Sequence, residues 1–291
     1  MEGVEHWSTS RQTALRMLGY DGAGPGGPAV VVLHGLGTSV DVLRDAVPGL
    51  DPFARLAEQQ LNVLALDWPG HGRSGGPRGR LTFRQAMDAA ATAVRQAQTL
   101  WDGPVGLLGS AMGGVLAFYA ALEDDAVGAA VCAGVLDLRE VRPAMHRSRQ
   151  ALLLPAAGLA ARRLPRERLE RIRVPLRALV ADADNAADPA LARRLRSHPQ
   201  AVSGYDLHSL ASILALPEDK PDIAAQRVPV LIAVGGHDRV LPEVPARAFA
   251  SRVPSAQLWA LPGGSHQLLL EHPLALLPIA GRFLREHLTS T

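Results

Sequence analysis

The sequence predicts an α/β protein: a mostly parallel sheet covered by helices on both faces, with a helical cap inserted between two of its strands. Three observations carry this. Short apolar runs recur without polar alternation, as in strands buried on both faces. The runs lead into glycine turns and helix-like stretches, the alternation that builds parallel sheets. One long segment, from about Arg139 to Arg227, breaks the rhythm.

In chain order, residues 29–33 run into His34-Gly35-Leu36-Gly37, and residues 62–66 into Asp67-Trp68-Pro69-Gly70. Residues 105–108 run into Gly109-Ser110-Ala111-Met112-Gly113-Gly114. Further strands are expected at 128–136, 230–234 and 256–261. Between them, Thr82 is the expected N-cap of a helix over 83–100, and Pro273 the first-turn proline of the terminal helix. The interrupting segment holds apolar clusters (152–154 and 159–161) and eleven arginines from Arg139 to Arg177. We read it as a cap over residues 139–227 inserted into a core of 1–138 and 228–291. Its arginines fit solvated helix faces, or an entrance for an acidic or phosphate-bearing substrate.

Composition narrows the function. The 291 residues are 47% hydrophobic and 20% charged, enough chain for a sizeable core without disulfides or metal. The single Cys132 excludes an internal disulfide framework and multi-cysteine zinc sites. Thirty basic against 28 acidic residues leave +2, which argues against nucleic acid as a partner. No apolar run approaches the ~18 residues of a membrane span, and the start lacks the basic flank and apolar stretch of a signal peptide. A cytoplasmic location, with no cofactor and no metal, is the expectation.

In an open parallel sheet, ligands bind beyond the carboxyl ends of the strands, so the chemistry is sought in the loops there. Glycines flanking a central residue allow a sharp strand-to-helix turn that presents that side chain to a site. Counting from Gly109 and Gly113 puts Ala111 at the apex, where a nucleophile is expected; Ser110 lies one residue early, placed for packing rather than attack. The His34-Gly35-Leu36-Gly37 turn can aim the Leu36 N–H at a developing oxyanion, with the Met112 N–H as its partner. Gly35 and Ser110, beside these donors, are expected to line the substrate site. Asp238 and His266 follow the last two strands, and the order nucleophile, acid, base is one of the known triad orders. Asp137 is the fallback acid. His34 is read as a loop brace, and His71, His237 and His272 as non-catalytic.

These runs together resemble an α/β-hydrolase of the monoacylglycerol lipase and lysophospholipase branch. The most specific stretch is Asp67-Trp68-Pro69-Gly70-His71-Gly72-Arg73-Ser74-Gly75, followed by the 109–114 turn. Asn185-Ala186-Ala187-Asp188-Pro189 resembles the branch less specifically. By position, the resemblance implies the α/β-hydrolase fold, Asp238 and His266 as acid and base, and Leu36 and Met112 as oxyanion-hole donors. It implies a small-molecule acyl ester or thioester substrate, free or carrier-bound. The departure is Ala111, where the family has its nucleophilic serine. Two accounts follow. In one, serine is natural here and this chain is an inactivated variant of a serine hydrolase or acyltransferase, an account favoured by the completeness of the remaining site. In the other, alanine is native. The protein is then a base-catalysed lyase, isomerase or cyclase, or it binds a ligand without chemistry.

Overall fold

The computed structural model describes residues 2–141, 150–216 and 220–289. Its main sheet has eight strands in the order β1-β2-β4-β3-β5-β6-β9-β10. These are β1 (Val4–Ser10), β2 (Thr13–Tyr20), β3 (Ala29–Leu33), β4 (Asn62–Leu66), β5 (Val105–Ser110), β6 (Val127–Ala133), β9 (Val230–Gly235) and β10 (Ala256–Leu261). β2 is antiparallel to both neighbours; the six strands from β4 to β10 are mutually parallel, so their carboxyl ends share one edge. This is the α/β-hydrolase architecture expected from the sequence.

Each central strand divides its side chains between two cores. Ala29, Val31 and Leu33 pack with one apolar cluster, and Val30 and Val32 with the other. The strands therefore need apolar residues at every position, which explains the unbroken runs. Against one face lie α3 (Phe83–Trp101), α4 (Met112–Glu123) and α11 (Glu243–Ala250). Against the other lie α1 (Val40–Asp45), α2 (Pro52–Ala57), α12 (Leu268–Glu271) and α13 (Pro273–Leu288). Thr82 caps α3 as expected, in a capping box whose other half is Gln85. Pro273 opens α13.

The structure corrects the sequence reading in three places. The chain begins with a hairpin, β1–β2, turned by Arg11 and Gln12 at φ of 45° and 66°. Such turns usually carry Asn or Gly, so nothing in the composition announced it. β6 ends at Ala133 rather than reaching 136, because the chain leaves the sheet at Gly134 (φ 111°). The segment between β6 and β9 is not wholly helical. It carries α5 (Gln150–Arg163), α6 (Arg166–Leu169), α7 (Leu176–Leu179), α8 (Asp182–Asn185), α9 (Pro189–Ser197) and α10 (Leu207–Leu214). It also carries an antiparallel pair, β7 (Arg173–Pro175) with β8 (Gly204–Asp206). Arg142, Arg147 and Arg149 lie outside the described residues.

A buried charged group ties the hairpin to the sheet. Arg16 of β2 is 1% exposed, and its guanidinium reaches Asp41 Oδ1 at 3.0 Å, Glu5 Oε1 at 3.0 Å and Asp67 Oδ2 at 3.4 Å. Asp67 also accepts N–H bonds from Val40 (2.8 Å) and Arg73 (3.1 Å), so one carboxylate orders both loops that follow β3 and β4. Gly72, at φ 50°, passes so close that any Cβ there would sit 2.2 Å from that carboxylate. The Asp-Trp-Pro-Gly-His-Gly-Arg-Ser run is thus a loop wound around a buried charge. Arg16→Met is expected to cost roughly 3 kcal/mol, because it leaves the buried Asp67 carboxylate without its arginine, while Asp41 keeps Arg73 at 3.1 Å and Arg44 at 3.5 Å. Urea unfolding checks this; a loss below ~1 kcal/mol would show that the remaining donors suffice.

Candidate active site

The elbow after β5 is where sequence spacing placed it. Ala111 holds φ 54° and ψ −126°, a region a residue with a Cβ rarely occupies, and its N–H donates to Ala133 O at 2.8 Å. The turn is this tight because two backbones nearly touch. A Cβ on Gly109 would lie 2.1 Å from Gly113 O, and one on Gly113 would lie 2.1 Å from Leu33 O. Glycine spacing at 109 and 113 is therefore a packing requirement.

Gly35 lies directly over this elbow. A Cβ built on it would stand 3.0 Å from Ala111 Cβ, 3.2 Å from Ser110 O and 3.7 Å from Met112 N. Met112 is the first residue of α4, so its N–H has no partner within the helix. Among the described residues, neither the Leu36 nor the Met112 N–H has a hydrogen-bond partner. Both residues line one cavity of about 480 Å³, together with Gly35, Ser110, Ala111 and His266.

Asp238 and His266 form the expected pair. His266 Nδ1 lies 2.9 Å from Asp238 Oδ2, with both residues buried. The other carboxylate oxygen, Oδ1, accepts the N–H groups of Val240 and Leu241, each at 2.8 Å. The carboxylate is thereby fixed, the proton of the imidazole is held on Nδ1, and Nε2 is left with its lone pair. Asp137 is committed elsewhere: Oδ1 accepts from Arg139 N at 2.9 Å, and Oδ2 faces Arg252 Nη1 at 2.9 Å. The His237 side chain is exposed, while His272 Nε2 faces Ser265 N at 3.4 Å. Cys132 lies fully buried in β6, where burial pushes its thiol pKa up and keeps it inert.

The insert forms the opposite wall, with Val174, Leu176, Leu179 and Leu195 facing the elbow residues across the cavity. Of its arginines, Arg173, Arg177 and Arg196 line this space. Arg196 pairs with Asp182, and Arg173 donates to Arg78 O (2.9 Å) and Gly204 O (2.6 Å). Others, such as Arg166 with Glu170, are surface pairs. The insert is docked on the histidine loop. Glu271 accepts Ala187 N (3.2 Å), Asp188 N (2.6 Å) and the Ser265 hydroxyl, and Gln267 Nε2 donates to Asn185 Oδ1 at 2.9 Å. The 185–189 stretch noted in the sequence belongs to this contact.

His34 and His71 are fully buried and neutral. Burial lowers the pKa of His34 to about 4 and that of His71 to about 3. His34 Nδ1 lies 2.8 Å from Gly35 O, and Nε2 accepts from Trp68 N at 3.3 Å, the bracing role expected of it. Both folded values lie below the unfolded value of 6.5, so neither group affects stability above that pH. Below pH 6.5 the unfolded chain binds protons that the folded chain refuses, and stability falls until pH 3–4. Unfolding at pH 5 is accordingly expected to take up close to two protons at this pair. The checking measurement is the slope of stability against pH in the parent and in His34→Asn and His71→Asn.

The chain is similar to known proteins in sequence and in fold. The sequence pattern of the serine aminopeptidase S33 family matches residues 27–273. The pimeloyl-[acyl-carrier protein] methyl ester esterase of Edwardsiella ictaluri is 26% identical over 251 residues, covering 86% of this chain and 90% of that protein. The magnesium-chelatase 30 kDa subunit of Rhodobacter capsulatus is 28% identical over 277 residues, covering 89% and 86%. A soluble variant of the monoglyceride lipase of Saccharomyces cerevisiae superposes with a TM-score of 0.75 at 16% identity, over 100% of this chain and 97% of that one. Among the described residues, no helix is long and apolar enough to cross a membrane. With its family pattern matched from the first parallel strand to the start of the last helix, the chain belongs to the serine aminopeptidase S33 family of α/β-hydrolases.

Proposed function

We propose that this site is built for acyl transfer from an ester or thioester through an acyl-enzyme, and that the chain with Ala111 is its nucleophile-to-alanine, inactive form. A serine at 111, activated by His266, attacks the carbonyl. The Leu36 and Met112 N–H groups hold the oxyanion, and Asp238 steadies the imidazole and its charge. Gly35 and Ser110 shape the wall beside the reacting carbon. Residues 139–227 act as a lid on the core of 1–138 and 228–291. Water, or a hydroxyl or amine of the substrate, then releases the acyl group.

The observation that carries this reading is the backbone of Ala111. A Cβ at φ 54°, ψ −126° costs ~1–3 kcal/mol, which glycine would avoid. A strained elbow that keeps its Cβ is the mark of a position whose side chain has a task. The apolar lid wall favours an aliphatic acyl group. Arg177, without an ion-pair partner among the described residues, fits an anionic group farther along the substrate, as on a phosphate-bearing carrier tether. The esterase relative, named for an acyl-carrier protein ester, supports the same class. The direct test is serine at 111, with covalent labelling by a fluorophosphonate expected there and absent from the Ala111 chain.

Ala111 itself favours a second reading: native alanine. A base-catalysed lyase, isomerase or cyclase would then turn over with Ala111 and stop in His266→Ala. A binding protein would return its ligand unchanged. Mass spectrometry over a time course separates the two.

A further inference from the structure

The loop that carries Leu36 is held by more than the core. Gly37, the next residue, sits at φ 81°, and both of its peptide groups bond to the insert. Its C=O accepts Val202 N–H at 3.0 Å, and its N–H donates to the hydroxyl of Tyr205 at 2.6 Å. Tyr205 stands in β8 with no exposure to solvent, and its hydroxyl also lies 2.7 Å from His71 Nε2.

Hydrogen positions in this chain follow from valence. His71 Nδ1 lies 2.9 Å from Pro69 O, and a carbonyl only accepts, so Nδ1 carries the proton. A neutral imidazole then has only a lone pair at Nε2, so the Tyr205 hydroxyl donates to it. Burial raises the phenol pKa and keeps that proton in place. With its hydrogen committed to His71, the oxygen can offer Gly37 only a lone pair, which is what an N–H requires. The relay runs Gly37 N–H to Tyr205 O–H to His71, and His71 N–H to Pro69 O, with each group in one possible role.

We propose that Tyr205, oriented by His71, is a positioning residue of the oxyanion loop: it fixes Gly37 and so aims the preceding N–H, that of Leu36, at the substrate oxygen. This rests on the acyl-transfer reading for its chemistry, and it gives His71 of the Asp-Trp-Pro-Gly-His-Gly-Arg-Ser run a task. It also makes the donor dependent on the insert being docked, since 202 and 205 both belong to it. Phenylalanine at 205 keeps the ring in place and removes the acceptor, leaving Gly37 N–H free to turn.

Two arms test this. In the Ala111→Ser form, Tyr205→Phe is expected to lower kcat by about 100-fold with KM within threefold, the signature of a misaimed donor. In the chain with Ala111, octanoate and 1-octanol are titrated against Tyr205→Phe and its parent. Octanoate places an oxyanion at the two N–H groups and the alcohol does not. Its affinity is expected to fall about tenfold while octanol stays within twofold. Should the serine form prove inert, the acyl-transfer reading fails, and the titration still decides the role of Tyr205. Equal loss for both ligands, or loss for neither, overturns the proposal. If Tyr205→Phe does not fold, His71→Leu, which removes the acceptor that orients the hydroxyl, carries the same comparison with a smaller expected loss.

Discussion

Replacing Ala111 with serine is expected to raise esterase turnover by ~10⁶-fold and to create a residue that a fluorophosphonate labels once per chain. The size follows from what is already in place. His266 has its proton fixed on Nδ1 by Asp238 at 2.9 Å, and the Leu36 and Met112 N–H groups have no partner among the described residues. One oxygen is missing from an otherwise assembled site. Nor should the substitution disturb folding. The strain at φ 54°, ψ −126° belongs to any residue with a Cβ, and alanine already bears it. p-Nitrophenyl esters of several chain lengths provide the assay, and the cavity of about 480 Å³ leads us to expect a preference for medium-length acyl groups. A folded serine form that neither labels nor turns over would end the hydrolase reading. Comparable turnover by the Ala111 chain would end it too, and would direct attention to Ser110, the buried last residue of β5.

How much of this was legible in the sequence depended on how local each constraint is. Gly109 and Gly113 announce the elbow by their spacing; crowding inside the turn dictates Gly109, whereas Gly113 is dictated by the Leu33 and His34 carbonyls of the neighbouring strand end. Asp238 and His266 were found by place, each in a glycine turn after an apolar run, and the structure brings them into contact across 28 positions. The Arg16 group was invisible. Its partners lie 11, 25 and 51 residues away, and an arginine in an apolar strand has no spacing that betrays its counter-ions. Tyr205 was missed for the same reason, since Gly37 lies 168 residues from it and His71 lies 134. His71 is not among the residues that line the cavity, in keeping with a non-catalytic place. What the sequence could not show is that it orients a hydroxyl that does reach the Leu36 loop. The β7–β8 pair was hidden in an arginine-rich segment because three-residue strands are too short to establish a period.

The second large effect concerns the acid. In the serine form, Asp238→Asn is expected to lower kcat by ~10⁴-fold with little change in thermal midpoint, whereas Asp137→Asn should leave most of the activity. The argument is geometric. An asparagine at 238 that keeps its carbonyl oxygen toward Val240 and Leu241 N–H must turn its NH₂ toward His266 Nδ1. Two donors cannot share that contact, so the imidazole gives up its Nδ1 proton and carries it on Nε2 instead, where a base must be bare. The fold loses almost nothing, because the two backbone bonds that anchor the side chain survive. Asp137 has no such leverage. Its oxygens serve Arg139 N and Arg252 at the surface end of the loop after β6, so its loss should appear in stability before it appears in rate. The reverse ranking would make Asp137 the acid after a rearrangement of that loop and reduce Asp238 to a turn residue. Equal loss from both substitutions, with kcat and thermal midpoint falling together, would mean that the assay reads folding rather than the tautomer of His266.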